Sequence, residues 1–306
     1  METAWIVLKQ TGIMALYMMA GFALFRKGWI TKEGSKTLAN VLIRLIIPCS
    51  ILNGFCVAHT EETLARFFLI ALLTAGALLV AMLLSWLVYR KKPMDQFAAA
   101  FPNCGFIGIP LVRAVLGEEY VLYAVPFVAL LNVLQFLYSN RLFADVKTRR
   151  PVKELLLHPI LIGTGIGLVL FLLNGAAVVP PFLSEAVRGI AWMNSPVAMI
   201  VLGVYLAQTD LKKLFLTPRL YALSAVRLLL IPIVTAALLL LTGVDHMSKT
   251  VILLCGSASI GANIAVYAQL YDADYAYACQ AVALSTVLSI VTMPLLTLLT
   301  GLLPGF

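Results

Sequence analysis

The sequence is built from apolar runs of close to twenty residues, nearly free of charge, separated by short breaks that hold the charged residues, prolines and glycines. A helix needs about 20 apolar residues to cross the hydrocarbon core of a bilayer, so this pattern decides the solvent first. Of the 306 residues, 62% are apolar and only 12% charged, about half the charged share of a soluble domain. A water-soluble fold cannot cover so much apolar surface with so few charges; the excess must face lipid. Soluble enzymes, nucleic-acid-binding modules and disordered regulators are excluded on that ground.

Ten such segments are expected, at 4–25, 37–57, 66–89, 96–116, 120–143, 158–174, 187–207, 219–241, 249–270 and 275–300. The sixth is short and is followed by the loop Gly175–Ser184. The first is too long for a removable signal peptide, and it lacks a basic leader and a small-residue cleavage site. The reading is an all-α integral membrane protein with no separate soluble domain.

The net charge of +8 reports orientation. Arg26, Lys27, Lys32, Lys36, Arg90, Lys91, Lys92, Arg141, Lys147, Arg149, Arg150, Lys153, Lys212, Lys213 and Arg219 all fall on the connections after the odd-numbered segments, and only Arg66, Arg113, Arg188 and Lys249 on the opposite side. Basic residues of short loops stay in the cytoplasm, so a multi-pass protein of the cytoplasmic membrane with both termini outside is expected. The connection after the ninth segment, with Asp272 and Asp274 and no basic residue, is the exception.

The long basic connection Arg141–Lys153 leaves five segments on each side. An odd number per half forces the halves, 1–150 and 151–306, into opposite orientations. Pro48 and Pro196 occupy the second segment of each half. In the fourth segment, Pro102, Gly105, Gly108 and Pro110 within Phe101–Leu111 cannot form a continuous helix, because proline removes a donor and glycine costs about 1 kcal/mol against alanine. The ninth segment reads Gly256-Ser257-Ala258-Ser259-Ile260-Gly261-Ala262-Asn263, again small and polar. Unwound backbone at membrane depth survives only in protein or beside a wet cavity, and paired interruptions in inverted halves point to a transporter site. Helix N-termini gathered there carry about +0.5 charge each and free amides, which suit an anion. Pro110 is expected in the first turn of the second half-helix, where its missing amide is no loss.

Several residues are candidates for that site. Asn103 and Asn263 are read either as substrate contacts or as caps of the breaks. Ser257 and Ser259 are read as alternative backbone caps at the second break, and Gly105, Gly108, Gly261 and Pro110 as shaping it. Asn53 and Ser50 either line the cavity or make polar contacts between helices. Gln135 and Asn132 are expected to face the crossing. Arg44 and Arg227 lie about eight residues inside the membrane and read as snorkelling, loop-paired or anion-path residues. Tyr267 is a weak cavity candidate, and Lys9 a snorkelling residue. No Asp or Glu falls inside the expected spans, which removes aspartate-dyad proteases and carboxylate-based antiporters. No phosphate-binding Gly-x-x-x-x-Gly-Lys loop occurs. Cys49, Cys56, Cys104, Cys255 and Cys279 lack CxxC spacing, and His59, His158 and His246 lie in loops or at helix ends, so neither metal nor cofactor is expected.

The stretch Asn103-Cys104-Gly105-Phe106-Ile107-Gly108-Ile109-Pro110-Leu111 resembles the Asn-x-Gly-Phe-x-Gly-x-Pro-Leu motif of bacterial members of the auxin efflux carrier family. Gly203-Val204-Tyr205-Leu206-Ala207 and Ala283–Ile290 with Pro294 agree with it. The resemblance implies ten helices in two inverted five-helix repeats related to the bile acid symporters. Helices 1, 2, 6 and 7 would form a scaffold, and 3–5 with 8–10 a transport unit in which broken helices 4 and 9 cross. It implies substrates that are organic anions, such as auxins, malate or malonate, and makes a scaffold-mediated homodimer plausible. Cys104 enters the site as part of this motif. The sequence departs from the family at the ninth segment, where Ser257, Ser259 and Gly261 stand in place of a frequent proline. The expectation is a non-enzymatic secondary transporter of small carboxylates working by alternating access; the alternative is a membrane ligand sensor on the same fold, for which the chain offers no output domain.

Overall fold

The computed structural model describes residues 2–56, 60–143, 159–174 and 179–302, with isolated positions 151, 153 and 157. Apart from one isolated bridge, the described residues form helices and turns only. The helices are α1 Glu2–Arg26, α2 Lys32–Val41, α3 Ile47–Phe55, α4 Glu61–Val88, α5 Pro93–Ala100, α6 Ile109–Leu116, α7 Val121–Leu142 and α8 Pro159–Leu172. They continue as α9 Pro181–Trp192, α10 Asn194–Gln208, α11 Leu211–Leu216, α12 Pro218–Ala225, α13 Ile231–Leu240, α14 His246–Gly256, α15 Asn263–Leu270 and α16 Tyr275–Gly301.

The starts follow local chemistry. Pro93, Pro159, Pro181 and Pro218 each occupy the first position of a helix, where a fixed φ helps and an amide is not needed. Thr31, Thr60, Asp245 and Asp274 cap α2, α4, α14 and α16 by accepting from the amide three residues on, each cap worth about 1 kcal/mol. These signals shift several expected boundaries. The second segment begins at Lys32 rather than 37, the fourth at Pro93 rather than 96, and the seventh at Pro181 rather than 187.

Among the described residues, seven stretches are long and apolar enough to cross a membrane: Thr3–Arg26, Lys32–Phe55, Glu61–Val88, Glu118–Leu142, Pro181–Gln208, Pro218–Leu240 and Tyr275–Gly301. Three of the expected segments are shorter or divided: the sixth is α8, the fourth is α5 with Cys104–Leu116, and the ninth is α14 with α15.

Three π-helical turns, Leu42–Ile46, Cys104–Gly108 and Val226–Leu230, each run straight into an Ile-Pro pair ending in Pro48, Pro110 or Pro232. The wider turn lets the chain accept a residue that cannot donate backward.

Small residues set the closest helix contacts. A Cβ at Gly21 would collide with the Ile200 backbone, and one at Gly203 with the Met18 carbonyl, so α1 and α10 touch backbone to backbone. Gly163 rests on Pro48, where a Cβ would stand 3.2 Å from the proline Cβ, and Gly167 rests on the Phe55 ring, seating the short α8 on α3. Such contacts are how helices associate where lipid supplies no hydrophobic drive.

Candidate functional site

Two interruptions meet inside the bundle. Residues 101–103 leave helical geometry between α5 and the π turn at Cys104, and residues 257–262 do so between α14 and α15. Pro102 holds the residue before it extended, with Phe101 at φ −113° and ψ 114°. The two stretches lie antiparallel: the Asn103 amide donates to Ser259 O at 2.8 Å, and the Gly261 amide donates to Phe101 O at 3.0 Å. Pro102 and Ile260 thereby form a bridge. The crossing therefore satisfies part of its own exposed backbone. The contact is close, and a Cβ on Gly261 would press on it, standing 3.2 Å from Pro102 O and 3.3 Å from Phe101 O. Ser285 Oγ accepts the Ile260 amide at 3.1 Å, and the Ser259 and Thr286 hydroxyls pair at 3.0 Å, fixing the second stretch on α16.

Arg227 holds the crossing from behind. It is 1% exposed. Its guanidinium donates to Ala258 O at 3.2 Å, Ala99 O at 3.0 Å and Ala100 O at 3.3 Å, and also to Gly256 O. Ala99, Ala100 and Gly256 end α5 and α14, the negative poles of two helices whose last acceptors have no helical donor, and Ala258 lies two residues beyond α14. A planar fork with five donors can serve both ends at once. Neither snorkelling nor an anion path describes this residue: it is a buried cation bound to backbone, within electrostatic reach of Cys104. Arg44, by contrast, is exposed on the outer face of its helix and lines no described cavity.

Beside the crossing lies a cavity of about 200 Å³. Of the sequence candidates it brings together Asn103, Cys104, Gly105, Gln135 and Asn263, with Asn132, Gly261 and Tyr267. Pro102 and Ala262 from the two interruptions and the apolar Ile43, Ile47, Phe106, Val128, Leu131, Phe136, Ile160 and Val266 complete it, and no side chain in the lining carries a charge. Asn263 Nδ2 donates to Gln135 Oε1 at 2.8 Å, and Asn132 Nδ2 to Val128 O at 2.7 Å. Asn103 Nδ2 differs: it is buried and has no partner among the described residues, which costs about 1–3 kcal/mol unless something accepts from it. Next to it begins the helix Cys104–Leu116, whose first amides have no helical acceptor before them. The lining thus offers a few neutral polar groups in an otherwise apolar wall.

Other candidates stand elsewhere. Asn53 does not line the cavity; its Nδ2 donates to Glu118 Oε1 at 2.8 Å, because the last turn of α3 faces the connection before α7. Ser50 is fully buried, and its Oγ has no partner among the described residues. Ser257 is buried away from the cavity, and Ser259 meets Thr286 instead. Pro110 lies in the first turn of α6, as expected, but the π turn Cys104–Gly108 runs straight into that helix. Ile109 donates five residues back to Cys104 O; in that register Pro110 would leave Gly105 O without a donor, and Asn194 Nδ2 supplies one at 2.8 Å.

The apolar pattern leaves Asp95 just outside a span, yet it is fully buried in the first turn of α5. It accepts from Arg219 Nε at 2.8 Å and from the Tyr277 hydroxyl at 2.5 Å, tying α5, α12 and α16 together. An acid in a first turn suits the helix dipole, and nothing local in the sequence marks its distant partners. Four of the five cysteines are buried, Cys56 half-buried, and all are free. His59, His158, Lys147, Arg149 and Arg150 lie outside the described residues.

Apolar helices of spanning length, packed through small residues, define a multi-pass membrane protein. The family model for membrane transport proteins matches residues 7–155 and 146–297, and the chain belongs to that family, the auxin efflux carrier-like transporters. It is also 25% identical over 289 residues to an "Uncharacterized transporter" of Methanothermobacter thermautotrophicus, covering 91% of this chain and 93% of that protein.

Proposed function

We propose that the protein carries a small organic carboxylate across the cytoplasmic membrane by alternating access, binding it in the cavity beside the crossing. The observation that carries this reading is the unpartnered Asn103 Nδ2, a buried donor in the cavity wall beside a helix N-terminus. A carboxylate accepts from such donors and draws on the dipole at the helix start. Because the lining carries no charge and is otherwise apolar, it suits one carboxylate on an apolar body, an auxin-like acid, better than malate or malonate, whose second charge would lack a partner.

The same proposal assigns ten spans in two inverted five-helix halves and places both termini outside. The crossing pair is α5 continued by Cys104–Leu116 and α14 continued by α15. Within the two proposed units α1 packs on α10 and α3 on α8 and α9, while α4 packs on α5 and α7, and α12 and α15 on α16; between the units α1 packs on α16. In liposomes, the protein should accumulate indole-3-acetate more readily than malonate under an imposed gradient, and Asn103→Ala with Asn263→Ala should abolish uptake while folded protein is recovered. Undiminished uptake by the double variant would place the site elsewhere; binding without uptake by the parent would end the transport reading.

A further inference from the structure

We propose that a second pocket, bounded by Lys32, Lys36 and Tyr275, is the mouth through which the carboxylate reaches the central cavity, and that the two lysines select for negative charge there. The proposal rests on the transport reading above. This pocket has a volume of about 250 Å³ and is also walled by Glu33, Ser35, Tyr205, Gln208, Ala265 and Val266, so its lining holds two cations and one carboxylate. Val266 lines the central cavity as well, so the two spaces share a wall.

Three further observations bear on it. Lys32 and Lys36 stand four residues apart on α2 and therefore on one face. Both lie in its opening turns, where the helix dipole disfavours a cation. The central cavity has no charged lining residue; a charged mouth adds selection by sign that acts at range, before the solute meets the Asn103 donor. Elsewhere in the bundle, polar contacts draw α3, α6 and α9 together. There Asn53 donates to Glu118, Arg113 Nε pairs with Glu118 at 2.5 Å, and the Arg113 guanidinium lies 5.6 Å from the centre of the Trp192 ring. The walls of the mouth come from α2 and α10 on one side and from α15 and α16 on the other. Relative movement of those pairs would open and close it.

The test reads the local field without relying on transport. Val266 is 48% exposed, and Val266→Cys places a thiol at the shared wall; labelling above that of the parent protein in nanodiscs reports it alone. An anionic methanethiosulfonate should react about tenfold faster than its cationic counterpart, after correction for their rates with a free thiol. Lys32→Gln with Lys36→Gln should bring that ratio close to one, Lys32→Arg with Lys36→Arg should keep it, and Lys91→Gln with Lys92→Gln should leave it alone. In liposomes the glutamine pair at 32 and 36 should raise KM for indole-3-acetate severalfold more than it lowers kcat. A ratio untouched by that pair, or lowered equally by the pair at Lys91 and Lys92, would overturn the proposal even if uptake is measured. A ratio that shifts as expected in a protein moving no carboxylate would instead sink the transport reading and leave the charged mouth standing.

Discussion

Replacing Arg227 tests whether the crossing is held by a single buried cation. Arg227→Met keeps an unbranched apolar stem and removes every donor. Four carbonyl contacts disappear, those of Ala99, Ala100, Gly256 and Ala258. At about 1.5–3 kcal/mol for a hydrogen bond to a charged group, the gross loss is about 6–12 kcal/mol. The variant also no longer buries a guanidinium, which recovers several kcal/mol of desolvation. The net destabilisation is therefore about 3–5 kcal/mol, a large part of an ordinary folding free energy of about 5–15 kcal/mol. For a chain of this length that corresponds to an apparent Tm lower by roughly 5–15 °C. The measurement is thermal unfolding in detergent at one fixed scan rate, since such transitions are rate-dependent. Arg227→Lys should lie between parent and Met variant, because an ammonium is a point donor that cannot span two helix ends. Millimolar guanidinium should partly restore the Met variant. A Met variant melting within about 2 °C of the parent would show that the carbonyls find other donors and that the clasp contributes little.

Gly203→Leu should separate α1 from α10, because its side chain would meet the Met18 backbone; folded yield should fall steeply, by about 3 kcal/mol or more of overpacking cost, as read by size-exclusion recovery. Asp95→Ala should cost about 1–3 kcal/mol by thermal unfolding, less than a fully buried pair, since its partner Arg219 is 46% exposed and can return to water. Asn194→Ala should leave Gly105 O without its donor and lower the apparent Tm by a few degrees, about 1–2 kcal/mol. Asp245 lies in the connection before α14: burial pushes its carboxyl up, but the amide and hydroxyl of Ser248 and the Arg66 charge outweigh this and hold it below the usual aspartate range. A carboxyl lowered by folding stabilises above its unfolded value and loses that contribution as pH falls through the folded one. The parent should therefore lose cap stability below about pH 4, whereas Asp245→Asn should show no such loss in that window.

Much of the architecture was legible in the sequence because its signals are local. The lipid solvent follows from apolar runs, helix starts from prolines and capping residues, and the loss of helix at 101–103 from Pro102 and the glycines after it. Asn103, Cys104, Gly105, Gln135 and Asn263 could be nominated together because each sits at or opposite a break. Boundaries were off by several residues where a cap or a leading proline extended a helix past its apolar run, as at Lys32 and Pro181.

Partnership was not legible. Arg227 and Arg44 look alike in the sequence, each ahead of an Ile-Pro pair, yet one is buried on four carbonyls and the other is exposed. The difference is made by which helix ends happen to lie beside each guanidinium. Asn53 turned to Glu118 and Asp95 to Arg219 for the same reason, their partners being 65 and 124 residues away. Hydropathy, turn chemistry and capping act over one or two turns and are written in the order of the residues. Which buried donor meets which acceptor is settled only when distant helices cross, because a hydrogen bond is felt over about 3 Å and the chain alone does not state who stands there.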